Sequence, residues 1–449
     1  QPGYDGAYGR VTIFTKEERD RLTGQQALFD LPGASQKKSA PKTGKGRKKT
    51  DPPKLNPEAE APEKPDEADK TDAAPKDNED PVLAGLNEAQ HHAVTHTGGP
   101  LLISAGPGTG KTRTLTCRIA HLIHNGTAAP EQILAVTFTN KAARQMHARL
   151  AAMLGSNADL PRAQTFHAFC FFLLKQIENT PDHGIVDEED RRALLLEAVA
   201  RAKDQGTEIR HRADALLDMV IAAKQQILSP EDDLSEIAGE DAPVLAAVYG
   251  AYQDLLEIEH LYDYEDLLCR TVMHLEADPV RCEDLRKQFR FIFIDEYQDL
   301  NHAQYRLVHQ LCPPDGQICV IGDPDQSIYG FRGSDPAYFQ RFLDDYPGAE
   351  TVRLSRSYRS TQTILTAAAQ VIGSREENNN RQQVYSDISG TPHIHVMNAE
   401  SERAEAVAVG KTIEQMVSGM RFEFHNFNKA NPASELKTGR SFADFAVLY

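Results

Sequence analysis

The sequence predicts an α/β protein whose parallel sheet is interrupted by an all-helical block. Three observations carry this. Beyond residue 84, apolar runs at 100–105, 133–138, 289–295, 317–323 and 350–354 alternate with longer segments of helical periodicity, the pattern of strands joined by crossover helices. Between about 180 and 270 that alternation stops, and "RRALLLEAVARAKD", "ADALLDMVIAAKQQI" and "APVLAAVYGAYQDLLEI" repeat apolar residues at spacings of three and four with no strands between them. The stretch "PLLISAGPGTGKTRTLTCRIAHLI" joins a strand to a Gly-rich loop and the loop to a helix, with Leu115, Ile119, Leu122 and Ile123 on one helical face.

Ahead of this block the composition changes. Residues 34–82 are rich in Lys, Pro, Ala, Asp and Glu and nearly free of large apolar side chains, so they cannot bury enough surface to offset ordering and are expected to form a disordered linker. Residues 1–33 form a short Gly- and Tyr-rich piece of their own. The chain starts at Gln1 and stops inside the strand-like "FADFAVLY", which reads as the middle of a longer polypeptide. At 449 residues and 40% hydrophobic, two or three domains are within reach. A net charge of −17 argues against holding nucleic acid by bulk attraction but leaves room for a local groove. Cys117, Cys170, Cys269, Cys282, Cys312 and Cys319 are scattered without a CxxC pair and read as reduced, buried thiols. Apolar runs fall short of the roughly 18 residues of a membrane span, and a cytoplasmic protein is expected.

The Gly-rich loop carries the first chemistry. From Ala105 through Gly106, Pro107, Gly108, Thr109 and Gly110 to Lys111, Thr112 and Arg113, it curls so that successive N–H groups face phosphate oxygens at a helix N-terminus. Lys111 suits β- and γ-phosphates of ATP, and the Thr112 hydroxyl suits Mg²⁺. Ala105 stands where the strict pattern has Gly. A second strand, "FRFIFIDEYQD", ends on Asp295, placed to hold Mg²⁺ through water, and Glu296, placed to take a proton from attacking water. A third, "QICVIGDPDQSIYGFRGSD", ends in a loop where Gln326 is either a γ-phosphate sensor or an ordinary loop residue.

"AGPGTGKTRTLTCRI", "LAVTFTNKAARQM", "QTFHAF", "DYEDLL", "FIFIDEYQDLNHAQY", "VIGDPDQSIYGFRGSD" and "LSRSYRST" resemble, in order, the motifs of the UvrD/Rep-like superfamily 1 DNA helicases, and "LNEAQHHAV" resembles that family's Q motif. The resemblance covers residues 84–449. It implies a P-loop, RecA-like ATPase domain at 83–180 and 270–345, a helical accessory insertion at 181–269, and the first part of a second RecA-like domain at 346–449. It also implies an ATP-dependent DNA helicase moving on single-stranded DNA, usually 3′ to 5′, in DNA repair. Gln90 would read the adenine and Tyr358 would stack on it; without the resemblance they read as a helix-surface residue and a core residue. Arg359 would reach the γ-phosphate. Thr137, Phe138, Thr139, Asn140, Thr165, Phe166, His167, Tyr329, Phe331 and Arg332 would contact DNA, the aromatic faces stacking on any base. Phe138 reads equally as core. Phe331 stands where these helicases often carry Trp, and this chain has none. The family's later motifs, with a second arginine for the γ-phosphate, are not in this chain.

"PGYDGAYGRVTIF" resembles the closing segment of endonuclease Q-like proteins with a PHP-type nuclease domain, implying a fused upstream nuclease. Gln25, Leu28 and Phe29 of "GQQALFD" match peptides that dock on the bacterial sliding clamp: two adjacent apolar side chains for a pocket and a glutamine for register. Two functions therefore stand at this point, a DNA helicase motor or an ATP- and DNA-binding tether for a nuclease with little unwinding.

Overall fold

The computed structural model describes residues 10–11, 80–155, 158–180, 182–330, 333–373, 383–390, 397–418 and 441–447. The expected linker, apart from its last three residues, and the clamp-like peptide lie outside them. Strand β1, Arg10–Val11, pairs with β5, Gly184–Val186, which pairs in turn with β6, Leu261–Tyr262, in a small parallel sheet. The main sheet is six-stranded and parallel, in the order β4 (Arg162–Thr165), β3 (Ile133–Thr137), β7 (Phe291–Ile294), β8 (Gln317–Gly322), β2 (Leu101–Ala105) and β9 (Glu350–Leu354).

Both faces of this sheet are covered, which is why its central strands read as unbroken apolar runs. Period-two alternation sorts their side chains. Leu101, Ile103, Ile133, Ala135, Phe293 and Ile321 face the helices Glu88–Thr95, Lys111–His124 and Asn140–Leu154. Leu102, Leu134, Val136, Ile292, Ile294 and Val320 face Phe166–Ile177, Tyr264–Ala277 and His302–Leu311. Helix Lys111–His124 buries Leu115, Ile119 and Leu122, as its spacing predicts. All six cysteines are buried free thiols.

Two strands differ from expectation. β4 pairs with β3 although "RAQT" has no apolar run, because an edge strand needs only one neighbour and little burial. β9, read from the sequence as part of the second domain, hydrogen-bonds along β2 and completes the first sheet. Accordingly the first compact unit runs to Ser360 and takes in Glu376–Asp387. The second unit, Thr361–Arg375 and Ile388–Tyr449, contains the helices Gln362–Gly373 and Glu402–Ser418 and a 3₁₀ turn at Phe442–Asp444.

The helical block is built from Glu188–Asp204, Ala213–Gln225 and Ala242–Ile258 around an apolar core of its own that includes Leu194, Leu216, Val220, Val248 and Tyr252. It is joined to the start of Tyr264–Ala277 by ions. Lys224 is completely buried, its ammonium 2.8 Å from both Asp263 Oδ2 and Asp266 Oδ1, while Arg191 reaches Glu265 Oε2 at 2.7 Å. Burial opposes the charge on Asp263, but Lys224 and Arg191 outweigh it and hold the carboxyl at about 2. Lys224→Met would leave Asp263 and Asp266 buried without the ammonium they share, so a loss of about 3–5 kcal/mol is expected, read as a lower urea midpoint. A midpoint equal to the parent's would show that Asp263 and Asp266 do not need the Lys224 ammonium.

Candidate functional site

The carboxyl ends of β2, β7, β8 and β3 lie side by side, so the loops that follow them converge. After β2 the backbone turns through Gly108 (φ 74°) and Gly110 (φ 89°), conformations that need glycine. Thr109 Oγ1 donates to the Gly106 carbonyl at 2.8 Å, tightening the turn. Gly110 then opens a 14-residue helix that no side chain caps, so its first N–H groups have no side-chain partner at the cap. A helix start of this kind suits an anion.

β7 supplies the opposing charges. Thr112 Oγ1 lies 3.4 Å from Asp295 Oδ2, and Lys111 Nζ lies 3.7 Å from Glu296 Oε2. Burial, followed by the charge of Glu296, raises Asp295 to about 7; Lys111 and Thr112 act against the rise. Asp299 is raised to about 6 by burial and again by Glu296. Among the described residues no three acidic, His or Cys side chains converge to hold a metal ion by themselves; the oxygens of Thr112 and Asp295 are of the hard type a divalent cation takes when phosphate and water complete its shell. Glu296 itself is left-handed, φ 54° and ψ 48°, an uncommon conformation for a residue with a Cβ.

The Gln90 helix reaches the same loop. Arg118, buried in the next helix, donates to the carbonyls of Ala93 and His96 at 2.9 Å and fixes the far end of Glu88–Thr95. Gln90 is 1% exposed, not on the helix surface; its Nε2 donates to the Thr109 carbonyl at 2.9 Å and its Oε1 accepts from Asn87 N–H at 3.2 Å. Asn87 Nδ2 donates to the Tyr358 hydroxyl at 2.9 Å, and Tyr358 is 48% exposed, so it is no core residue. Tyr358 N–H donates to the Gly108 carbonyl, Ser357 Oγ to the Pro107 carbonyl, and Arg359 packs so closely on Gly108 that a Cβ there would meet its own at 2.6 Å. Asn87, Gln90, Tyr358 and Arg359 thus surround the loop. Asn87 was not singled out from the sequence; its signal is the capping box Asn87–Gln90.

A second group of residues follows β3, β4 and β8. Phe138 stacks on Tyr329, ring centroids 5.0 Å apart at 27°, and His167 meets Tyr264 edge-on at 5.8 Å. Tyr264, the Tyr of "DYEDLL", thereby joins the aromatic residues expected from the sequence. Thr139 and Thr165 cap the helices Asn140–Leu154 and Phe166–Ile177 through the N–H groups of Ala142 and Ala168, and the Thr137 hydroxyl donates to the Thr139 carbonyl. Phe166 departs from expectation: it is 3% exposed within the core, so its ring packs the sheet. Gln326 donates to Asp323. Phe331 and Arg332 lie outside the described residues.

Residues 86–347 match the UvrD/REP helicase N-terminal domain. The chain belongs to the UvrD/REP helicase family. Relatives include ATP-dependent DNA helicase UvrD1 of Mycobacterium tuberculosis, 38% identical over 373 residues, covering 79% of this chain and 48% of the relative. UvrD1 of Mycobacterium leprae is 37% identical over 369 residues, 78% of this chain and 47% of its own. ATP-dependent DNA helicase PcrA of Staphylococcus aureus is 35% identical over 372 residues, 82% and 48%. The chain therefore spans about half the length of the curated relatives it matches. Among the described residues no helix is long and apolar enough to cross a membrane.

Proposed function

We propose that this chain carries the ATP-hydrolysing part of a DNA helicase that walks on single-stranded DNA. One observation carries the reading: the two contacts Lys111–Glu296 and Thr112–Asp295 bring the phosphate cradle and the acidic strand end into one site. In this reading ATP places its β- and γ-phosphates against the loop N–H groups and Lys111. Lys111 moves from Glu296 to phosphate, and Glu296 is then free to accept a proton from the attacking water. Thr112 and Asp295 would hold Mg²⁺, which when bound neutralises charge on the phosphates. Tyr358 offers a face to the adenine beside Asn87 and Gln90, Arg359 turns to the γ-phosphate, and Gln326 senses whether that phosphate is present.

Single-stranded DNA would run over Phe138, Tyr329, His167 and Tyr264, with Thr137, Thr139, Asn140 and Thr165 shaping the floor and Phe331 and Arg332 continuing the path. Aromatic stacking is indifferent to base identity, as a motor requires. The same reading includes 3′ to 5′ movement, a role in DNA repair, a cytoplasmic location, two RecA-like domains of which the first takes in β9, a fused PHP-like nuclease upstream and a sliding-clamp contact through Gln25, Leu28 and Phe29. The three clamp residues lie outside the described ones.

The test is DNA-stimulated ATPase and strand displacement by the full-length polypeptide. Nucleotide and DNA binding without either activity would favour the tether instead. Tyr329→Ala is expected to weaken binding of an oligothymidylate by about 1–3 kcal/mol, roughly 5- to 150-fold, with Mg-ATP affinity unchanged. Fluorescence anisotropy reads this directly; equal affinity would remove Tyr329 from the DNA path.

A further inference from the structure

Gln298 is a glutamine buried among carboxylates. It is 1% exposed, and both ends of its amide are used. Its Nε2 donates to Glu296 Oε2 at 3.0 Å and to Asp299 Oδ2 at 3.3 Å, while its Oε1 accepts from the Asp323 N–H at 3.0 Å. Its backbone carbonyl accepts from Ser327 Oγ at 3.3 Å. The first two contacts stay within the turn after β7, and the last two reach the loop after β8. That loop goes on from Asp323 to Gln326 and Tyr329, so one side chain links the expected base to the loop expected to carry DNA.

The residue type follows from the surroundings. A lysine here would compete with Lys111 for Glu296, and a carboxylate would repel both acidic neighbours. A neutral amide gives one donor end and one acceptor end, and its neighbours fix which way round it lies. Space is reserved for it: a Cβ on Gly322 would stand 2.4 Å from Gln298 Oε1. Glu296, left-handed at φ 54°, needs such support from its surroundings, since residues with a Cβ hold that conformation only where neighbours over-determine it.

We infer that Gln298 is a positioning residue that holds Glu296 in place and couples it to the loop Asp323–Tyr329, so that DNA on Tyr329 raises the rate of hydrolysis at Glu296. This rests on the ATPase reading above. It gives Gln298 no role in binding nucleotide.

The experiment uses the full-length polypeptide with Gln298→Ala and Gln298→Glu. For each, the affinity for a fluorescent ATP analogue, the KM for ATP, kcat with and without saturating oligothymidylate, and the melting temperature are measured. For Gln298→Ala, nucleotide affinity and KM are expected to stay within about twofold. DNA-saturated kcat is expected to fall about tenfold or more, as misplacement of a reacting group does, and the stimulation by DNA should approach one. Gln298→Glu keeps the length and the acceptor for Asp323 N–H but turns the donor end into a charge that repels Glu296 and Asp299, so it displaces Glu296 and decides the matter if the alanine variant does not fold. Parent-like kcat and stimulation in either folded variant would overturn the inference. So would a loss of nucleotide affinity parallel to the loss of kcat, the mark of a general structural role. If the parent itself lacks DNA-stimulated hydrolysis, the ATPase reading falls first and this inference with it, before any substitution is compared.

Discussion

Lys111→Ala in the full-length polypeptide is expected to lower ATP turnover by at least about 10³-fold. Its melting temperature should stay near the parent's. The Lys111 side chain is mostly covered, and its ammonium lies 3.7 Å from Glu296 Oε2 on the acidic side of the site. Removing it takes a charge from the site and no apolar side chain from the core. What it removes is the one positive side chain that the loop itself carries. Losing a single neutral donor to developing charge costs about 10²–10³ in rate, and losing a full charge on a transferring phosphoryl group costs about 10³–10⁵. The second figure applies, because nothing else in the loop from Ala105 to Thr112 is charged. Steady-state hydrolysis at saturating single-stranded DNA checks it; turnover above about a tenth of the parent's would remove Lys111 from the reaction.

The parts of this site legible in the sequence are those where chain spacing alone does the work. Gly108, Gly110, Lys111 and Thr112 are neighbours in sequence, and the left-handed turn and helix start they form need no distant partner. Asp295 and Glu296 were legible because they close an apolar strand. The missed residues act across the fold. Gln298 has its meaning from Asp323, 25 positions away, and Asn87 from Tyr358, 271 positions away. Lys224 likewise has its role from Asp263 and Asp266, which lie in a later segment of the chain. β9 shows the same limit at the level of the sheet: "ETVRL" reads as a strand, but nothing local says it pairs with β2. Phe166 shows the limit from the other side: its ring belongs to the core, which its place in the motif does not reveal.

Glu296→Gln should separate binding from chemistry where Lys111→Ala cannot. The amide keeps the size of the side chain and can still meet Gln298, so the left-handed backbone at residue 296 retains its neighbours. It also removes a negative charge from the phosphate site. That charge is, after burial, the second cause holding Asp295 up near 7, so the substitution lets Asp295 ionise more readily beside Thr112 and leaves the cation donors intact. Mg-ATP affinity is therefore expected to hold or tighten. Turnover is expected to fall about 10²–10⁴-fold, the usual contribution of a positioned base, because the amide cannot take the proton from water. Single-turnover hydrolysis alongside equilibrium binding of a fluorescent ATP analogue measures both halves. Hydrolysis at the parent rate would move the base to another residue, and the carboxylate to examine would be Asp299, raised to about 6 and bonded to the same Gln298 amide nitrogen as Glu296.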